Sequence, residues 1–310
     1  MSNDIRIFAL MKKILYALVL LVAFAACEKK AETTLQPNKA ELLKQKKEDS
    51  LALKIAVLPT LDAFPLYLAK ERGLYDKHKV DVRLKRFNAQ MDADTAIAGG
   101  SVEGVMTDLV RAERLKKNGL QLDYLASTNL YWLLISNRSS RIKTLSQLGD
   151  KMVAMTRYSA TDYLTDQVLQ GVKLTGDVYR VQINDVDLRL DMLINNEIDA
   201  LWLPEPHATK AISLKHSVIA DSRKMDVRLG VMAFRQGDNY RKKQQTALIK
   251  VYNEACDSIN KYSLANYQDV IEKYYGVDAA ATNAIPKQNF SHAAAPSQND
   301  VDKALKFLGK

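Results

Sequence analysis

Cysteine is scarce: Cys27 and Cys256 are the only two in 310 residues. They are too few for a disulfide framework, and they form no CxxC pair such as zinc and redox sites use. The four histidines (His78, His207, His216 and His292) lie far apart and never approach an HExxH spacing, so no metal site is expected. Twelve glycines supply no P-loop, no GxGxxG after a strand and no GxSxG elbow. Catalytic groups that converge only in space leave no such mark, so an enzyme stays among the alternatives. No cofactor motif is found. The longest apolar run, from Ile14 to Phe24, falls well short of the roughly 20 residues that span a bilayer as a helix.

What is present begins at the N-terminus. Lys12 and Lys13 precede that apolar run, and small residues Ala25 and Ala26 follow it, directly before Cys27. A basic segment, a short apolar segment and small residues at a cleavage point describe a secretory signal over residues 1–27, with Met11 the expected start of translation. The arrangement resembles the lipobox of bacterial lipoproteins, with Phe24 where leucine is usual. That resemblance implies diacylation of Cys27 and a stable membrane anchor, since each buried methylene contributes about 0.8 kcal/mol. A lipidated Cys27 leaves no partner for Cys256, which sits in a helical apolar pattern with Val251, Tyr252, Ala255 and Ile259 and reads as core.

Residues 28–50 hold few large apolar side chains and read as a flexible tether, with a helical tendency near 39–47. The globular part is expected from Leu51. A formal charge of +9 and a pI near 9.3 raise nucleic acid as a partner. The basic residues are scattered, however, and the leader directs export. The positive surface therefore favours an anionic ligand or an anionic lipid surface.

From Leu51 the chain alternates short β-type runs with helical periods. Strands are expected at 54–58, 80–86, 102–106, 122–126 and 131–136, with helices at 64–72, after Asp92, and after Asp108 as cap. The pattern restarts at Thr144 and Gln147, a capping box. Strands then follow at 151–155, 178–183, 198–203 and 228–234, with helices at 159–170, capped by Ser159, at 186–195, and after Pro206. Residues 240–262, 264–274 and 299–308 read as a helical tail. Two such series predict an α/β fold of two lobes: 51–137 plus 236–310, and 138–235. The segments 122–137 and 226–236 would cross between them.

Four phrases carry a family resemblance. LPTLDAFPLYLAKERGLY at 58–75, AIAGGSVEGVMTD at 96–108, LSQLGDKMVA at 145–154 and MLINNEIDALWLPEPHA at 192–208 occur in the right order. They resemble the nitrate, sulfonate and thiamine-precursor substrate-binding proteins of ABC importers. The resemblance implies the type 2 periplasmic-binding fold: two mixed sheets flanked by helices, a hinge, and a ligand cleft between lobes. It departs at Asn196, where glycine is common, and at 157–161, which lacks a serine- or glycine-rich anion loop.

Ligands of open α/β sheets sit beyond the carboxyl ends of the strands, and that rule selects the candidate residues. Phe64 would stack on a planar ligand, or else fill core. Asp62 would accept from ligand amines or cap a helix, with Thr60 beside it. At Thr107 and Asp108 a helix N-terminus suits an anion, but the carboxylate would repel one and favour hydrogen-bond donors. Ser159 and Thr161 would hold a carboxylate, phosphate or sulfonate head, or only cap their helix. Arg157 would add a charge-assisted contact or face solvent. Glu205 would pair with a ligand amine or with Arg157. His207 would donate to a ligand or cap a helix. Asn129 and Tyr131 lie at the hinge. Trp132 and Trp202, inside apolar strands, read as core.

The expected function is an exported, lipid-anchored, monomeric binding protein on the periplasmic side of a membrane. It would close on a small molecule and deliver it to a permease with a separate ATPase. A planar, amine-bearing ligand of the thiamine-pyrimidine type is preferred, with a small oxyanion such as an alkylsulfonate or nitrate as the alternative. Alternatives of another kind are an enzyme on the same fold, of the pyrimidine-synthase or dehydratase type, or a ligand-sensing adaptor.

Overall fold

The computed structural model describes residue 43 and residues 48–309. The leader reading over 1–27, the lipidation of Cys27 and most of the 28–50 tether lie outside the described residues. The chain divides into Met1–Ser50 and Leu51–Lys310, and the second unit holds two sheets.

Each sheet has five strands. The first comprises β1 (Leu53–Val57), β2 (Val82–Arg86), β3 (Gly104–Asp108), β4 (Leu122–Ser127) and β10 (Gly230–Arg235), in the order β2-β1-β3-β10-β4. The second comprises β5 (Leu133–Ser136), β6 (Lys151–Met155), β7 (Val178–Gln182), β8 (Ala200–Leu203) and β9 (Ser217–Asp221), in the order β7-β6-β8-β5-β9. Both repeat one plan. Three parallel strands lie side by side, β2-β1-β3 or β7-β6-β8, and an antiparallel strand that has just crossed from the other lobe joins them.

This corrects the expected lobe boundaries. Leu133–Ser136 pair residue for residue with Leu203–Ala200, so β5 belongs to the second lobe and the chain crosses before it. Gly230–Phe234 pair with Asp108–Gly104, so β10 belongs to the first lobe. The crossing segments are therefore 128–132 and 222–229. They touch: the Ser222 N–H donates to the Trp132 carbonyl at 3.0 Å, and the Trp132 N–H donates to Ser222 Oγ at 2.9 Å.

Helices form where polar caps meet apolar stripes. The helices, in chain order, are α1 (Phe64–Glu71), α2 (Leu74–Lys77), α3 (Gln90–Ala98), α4 (Leu109–Lys117), α5 (Ala160–Leu169), α6 (Val186–Ile194), α7 (His207–Ser213), α8 (Asn239–Tyr262), α9 (Gln268–Tyr275), α10 (Ala279–Ala284) and α11 (Gln298–Leu308). Asp108, Ser159, Asp185 and Ser297 cap α4, α5, α6 and α11 by accepting from backbone N–H groups of the first turn. Asp92 is not a cap. It lies in the first turn of α3, whose cap position is Ala89, held extended by a bridge to Asp185. Gly73 links α1 to α2 in the left-handed conformation, φ +66°, which glycine adopts without steric cost.

The helical tail packs back on the first lobe: α8 and α9 lie on α1, and α11 lies on α4. Cys256 is buried there, among Val251, Tyr252, Ala255 and Ile259. Trp132 and Trp202 are core residues. Among the described residues no helix is long and apolar enough to cross a membrane.

Candidate functional site

The seam between the lobes collects the loops that follow β1, β3, β6 and β8. The lobes meet along it directly. The Leu61 N–H donates to the Glu205 carbonyl at 2.9 Å, and the Ala160 N–H donates to Asp108 Oδ1 at 2.9 Å. Arg86 and Asp187 face each other at 3.7 Å.

Three acids at the seam are buried, and each is largely satisfied by the chain itself. Asp62 accepts from the Thr60 hydroxyl at 2.6 Å and from the Thr128 hydroxyl at 2.9 Å. Burial raises its pKa, against the pull of both hydroxyls. Glu205 accepts from the Tyr131 phenol at 3.0 Å and from the Thr209 N–H at 3.0 Å. Burial, then the Glu205 charge, pushes that phenol upward, and the Arg223 guanidinium lies 4.2 Å from the centre of its ring.

Asp108 is fully buried, at 0 % exposure. Its Oδ1 accepts from Arg111 N–H at 3.0 Å, in its own helix, and from Ala160 N–H, the first residue of α5 in the other lobe. Its Oδ2 is buried with no hydrogen-bond partner among the described residues. Burial pushes this carboxyl up to about 7, with Arg111 pulling the other way.

Around the start of α5 the hydroxyls are tied locally. Ser159 Oγ donates to the Thr156 carbonyl at 2.6 Å, and Thr156 N–H donates to Thr161 Oγ1 at 2.9 Å. Behind Thr156 lies Arg189, which is absent from the candidates drawn from strand ends. It is 1 % exposed; it donates to the Trp202 carbonyl at 2.9 Å and more weakly to Thr156 Oγ1 at 3.5 Å. Its Nε has no partner among the described residues, and burial lowers its pKa to about 10. A signal for it exists in the sequence: position 189 falls on the buried face of α6 with Val186, Leu190 and Leu193. An arginine inside an apolar stripe is a group held for a reason other than solubility. Arg111, equally buried, pairs with Asp94 and leaves its Nε without a partner among the described residues.

Other expected site residues are placed differently. Phe64 is 0 % exposed in the core of the first lobe, 6.2 Å from Tyr267 and 6.4 Å from Tyr275, so it has no face for a ligand. It shares a buried cluster with Leu53, Ile55 and Val57 of β1. Arg157 is exposed and does not meet Glu205, whose oxygens are taken by Tyr131 and Thr209. Thr107 is buried within β3, opposite Val231. His207 pairs through Nε2 with Asp187 Oδ1 at 2.6 Å and so lowers the pKa of that acid.

An open cavity of about 780 Å³ lies beside the crossing segments and is lined on another side by residues of the 287–297 loop. Thr128, Asn129, Tyr131, Arg223, Arg228 and Gln288 are among its walls. Asn129 Nδ2 donates to Gln288 Oε1 at 2.7 Å. The seam thus offers charge and hydrogen bonds around a hinge. Among the described residues no three His, Cys, Asp or Glu side chains are grouped to hold a metal.

Comparison with known proteins agrees with this architecture. The family model of the NMT1-like family matches residues 46–273, and the chain belongs to that family. No curated protein matches it. The fold is that of the periplasmic binding proteins. The alkanesulfonate-binding protein SsuA of Xanthomonas axonopodis pv. citri, bound to MOPS, superposes with a TM-score of 0.71 at 15% identity, over 84% of this chain and 91% of that one. The aliphatic sulphonate binding protein SsuA of Escherichia coli gives 0.65 at 18% identity, over 83% and 92%. The nitrate-binding protein NrtA of Synechocystis PCC 6803 gives 0.66 at 14% identity, over 81% and 74%.

Proposed function

We propose that this member of the NMT1-like family is the solute-binding component of an ABC importer, closing its two lobes on a small oxyanion. The observation that carries the ligand class is the start of α5. There the Ala160 N–H already holds a carboxylate, with Arg189 buried behind Thr156. A helix N-terminus and a guanidinium together favour sulfonate, nitrate or carboxylate groups. The sulfonate- and nitrate-binding proteins of like fold support the same class. The planar, amine-bearing ligand is less well supported. It needed Phe64 as a stacking face and free oxygens on Asp62 and Glu205, and those groups are engaged within the protein.

On this reading the chain is exported, held at a membrane through a lipidated Cys27, and active as a monomer that docks on a permease. Binding and release, rather than catalysis, are its work. The test is native mass spectrometry of the purified protein, followed by titration with methanesulfonate, taurine, nitrate and an aminopyrimidine. A ligand at 100 times its dissociation constant stabilises by about 2.7 kcal/mol. Stabilisation by the aminopyrimidine alone would overturn the oxyanion assignment. Substituting Cys27→Ser should release the protein from membranes, and retention there would refute the anchor.

A further inference from the structure

Two helices from different lobes, α4 and α5, aim their N-termini at one point. Each brings partial positive charge and N–H groups that no carbonyl of its own helix can meet, so the two ends repel unless an acceptor oxygen lies between them. One does: Asp108 Oδ1 accepts from Arg111 N–H of α4 and Ala160 N–H of α5, at 3.0 and 2.9 Å. We propose that the Asp108 carboxylate is a built-in occupant of the second lobe's anion site, latching the empty protein shut and competing with the ligand's oxyanion. This rests on the reading of the seam as an oxyanion site.

Three further observations support it. Asp108 is wholly buried, yet its second oxygen has no partner among the described residues, an arrangement costly for a residue that merely caps a helix. One buried arginine, Arg111, stands at the start of α4 and acts on Asp108, and a second, Arg189, lies behind Thr156 in the loop before α5; each keeps an unpartnered Nε among the described residues. The hydroxyls of Ser159 and Thr161 are bound back to Thr156, so the loop is already shaped around the group that α5 receives. A carboxylate fixed to the opposite lobe acts at a high effective concentration when the lobes are near. Free anion must displace it, and its apparent affinity falls by the fraction of molecules in which the site is open. Asp108 thereby sets a threshold, admitting ligands that make more contacts than a bare anion.

The experiment combines small-angle X-ray scattering of the ligand-free protein with calorimetric titration of methanesulfonate and of nitrate. Asp108→Ala should expand the ligand-free protein and tighten methanesulfonate binding by on the order of tenfold. Asp108→Asn, which keeps the cap and loses the charge, should tighten it less. Ala160→Pro removes the N–H that meets Asp108 while leaving the α4 cap intact, at a helix position that tolerates proline. It should expand the ligand-free protein even where Asp108→Ala fails to fold. Ligand-free variants as compact as the parent would overturn the proposal, as would a parent that binds methanesulfonate and an Asp108→Ala variant that binds it no better. If the variants expand but none of the proteins binds either anion, the latch stands and the ligand class falls.

Discussion

Replacing Arg189 by methionine should make the protein more stable and less able to bind. The guanidinium is 1 % exposed with no carboxylate bonded to it among the described residues, and burial, only partly offset by the Asp185 charge, lowers its pKa from 12.5 to about 10. A shift of that size corresponds to about 3 kcal/mol disfavouring the charged group in the folded state. Methionine has similar reach and no charge to desolvate, and it adapts to irregular packing. Against the gain stand the hydrogen bonds to Trp202 and Thr156, of which only the first is short. A lost hydrogen bond to a charged group costs about 1.5–3 kcal/mol. The balance is a stabilisation of about 1 kcal/mol, which raises the melting temperature by about 2–4 °C for a chain of this size. Such a sign is usual when buried charge gives way to apolar volume. Methanesulfonate affinity should fall on the order of tenfold or more, since the anion loses a charge-assisted contact. Thermal melts without ligand and calorimetry with it read the two effects separately. A variant that melts well below the parent, with unchanged affinity, would show that the arginine is a structural brace and would refute the reasoning.

Other expectations concern buried groups. The Asp108 carboxyl titrates at about 7 in the folded state against 3.8 in the unfolded chain. The folded state therefore holds the proton more tightly, and stability from this group falls as pH rises from about 4 to about 7, by on the order of 4 kcal/mol at most. Asp108→Asn should remove that slope in urea melts taken across the range, and a parallel pair of profiles would contradict it. Phe64→Ala opens a cavity in the first lobe and should cost about 3–5 kcal/mol, while Phe64→Leu should leave ligand affinity unchanged; a large affinity loss in the leucine variant would restore the stacking role. In a Cys27→Ser background, Cys256 should resist thiol reagents until the protein unfolds, because burial pushes its thiol up to about 12. Rapid labelling of the native protein would sink that assignment.

Much of this fold is written in short polar signals. Asp108, Ser159 and Ser297 announce their helices because each side chain does what its position in sequence suggests, accepting from the first turn. Strand β9 is hard to see because it is a half-buried edge strand, SVIAD, whose apolar run is only three residues long and leaves Val218 open to solvent. The lobe boundaries shift because β5 and β10 look like any buried strand, and only their pairing says to which sheet they belong. Among the candidate residues, Asp108 after β3 and Glu205 after β8 make contacts across the seam, in line with the rule about strand ends. Phe64 goes astray because an aromatic at the start of a helix can face either way. Arg189 is legible in the stripe of α6, but an arginine on a helix ordinarily marks the solvent side.

The position of β10 governs the order in which the molecule can be made. Strand β4 touches the first sheet only through β10, which lies between it and β3. When residues 122–127 leave the ribosome, their neighbour in the sheet is still about a hundred residues from being synthesised. The second sheet, by contrast, has all its strands between 133 and 221 and can assemble as soon as they are available. A growing chain can therefore finish its second lobe while the first still waits for β10, and β4 for a place in its sheet. A fragment that stops before residue 230 would carry β4 as a loose end, however complete the rest of it looked.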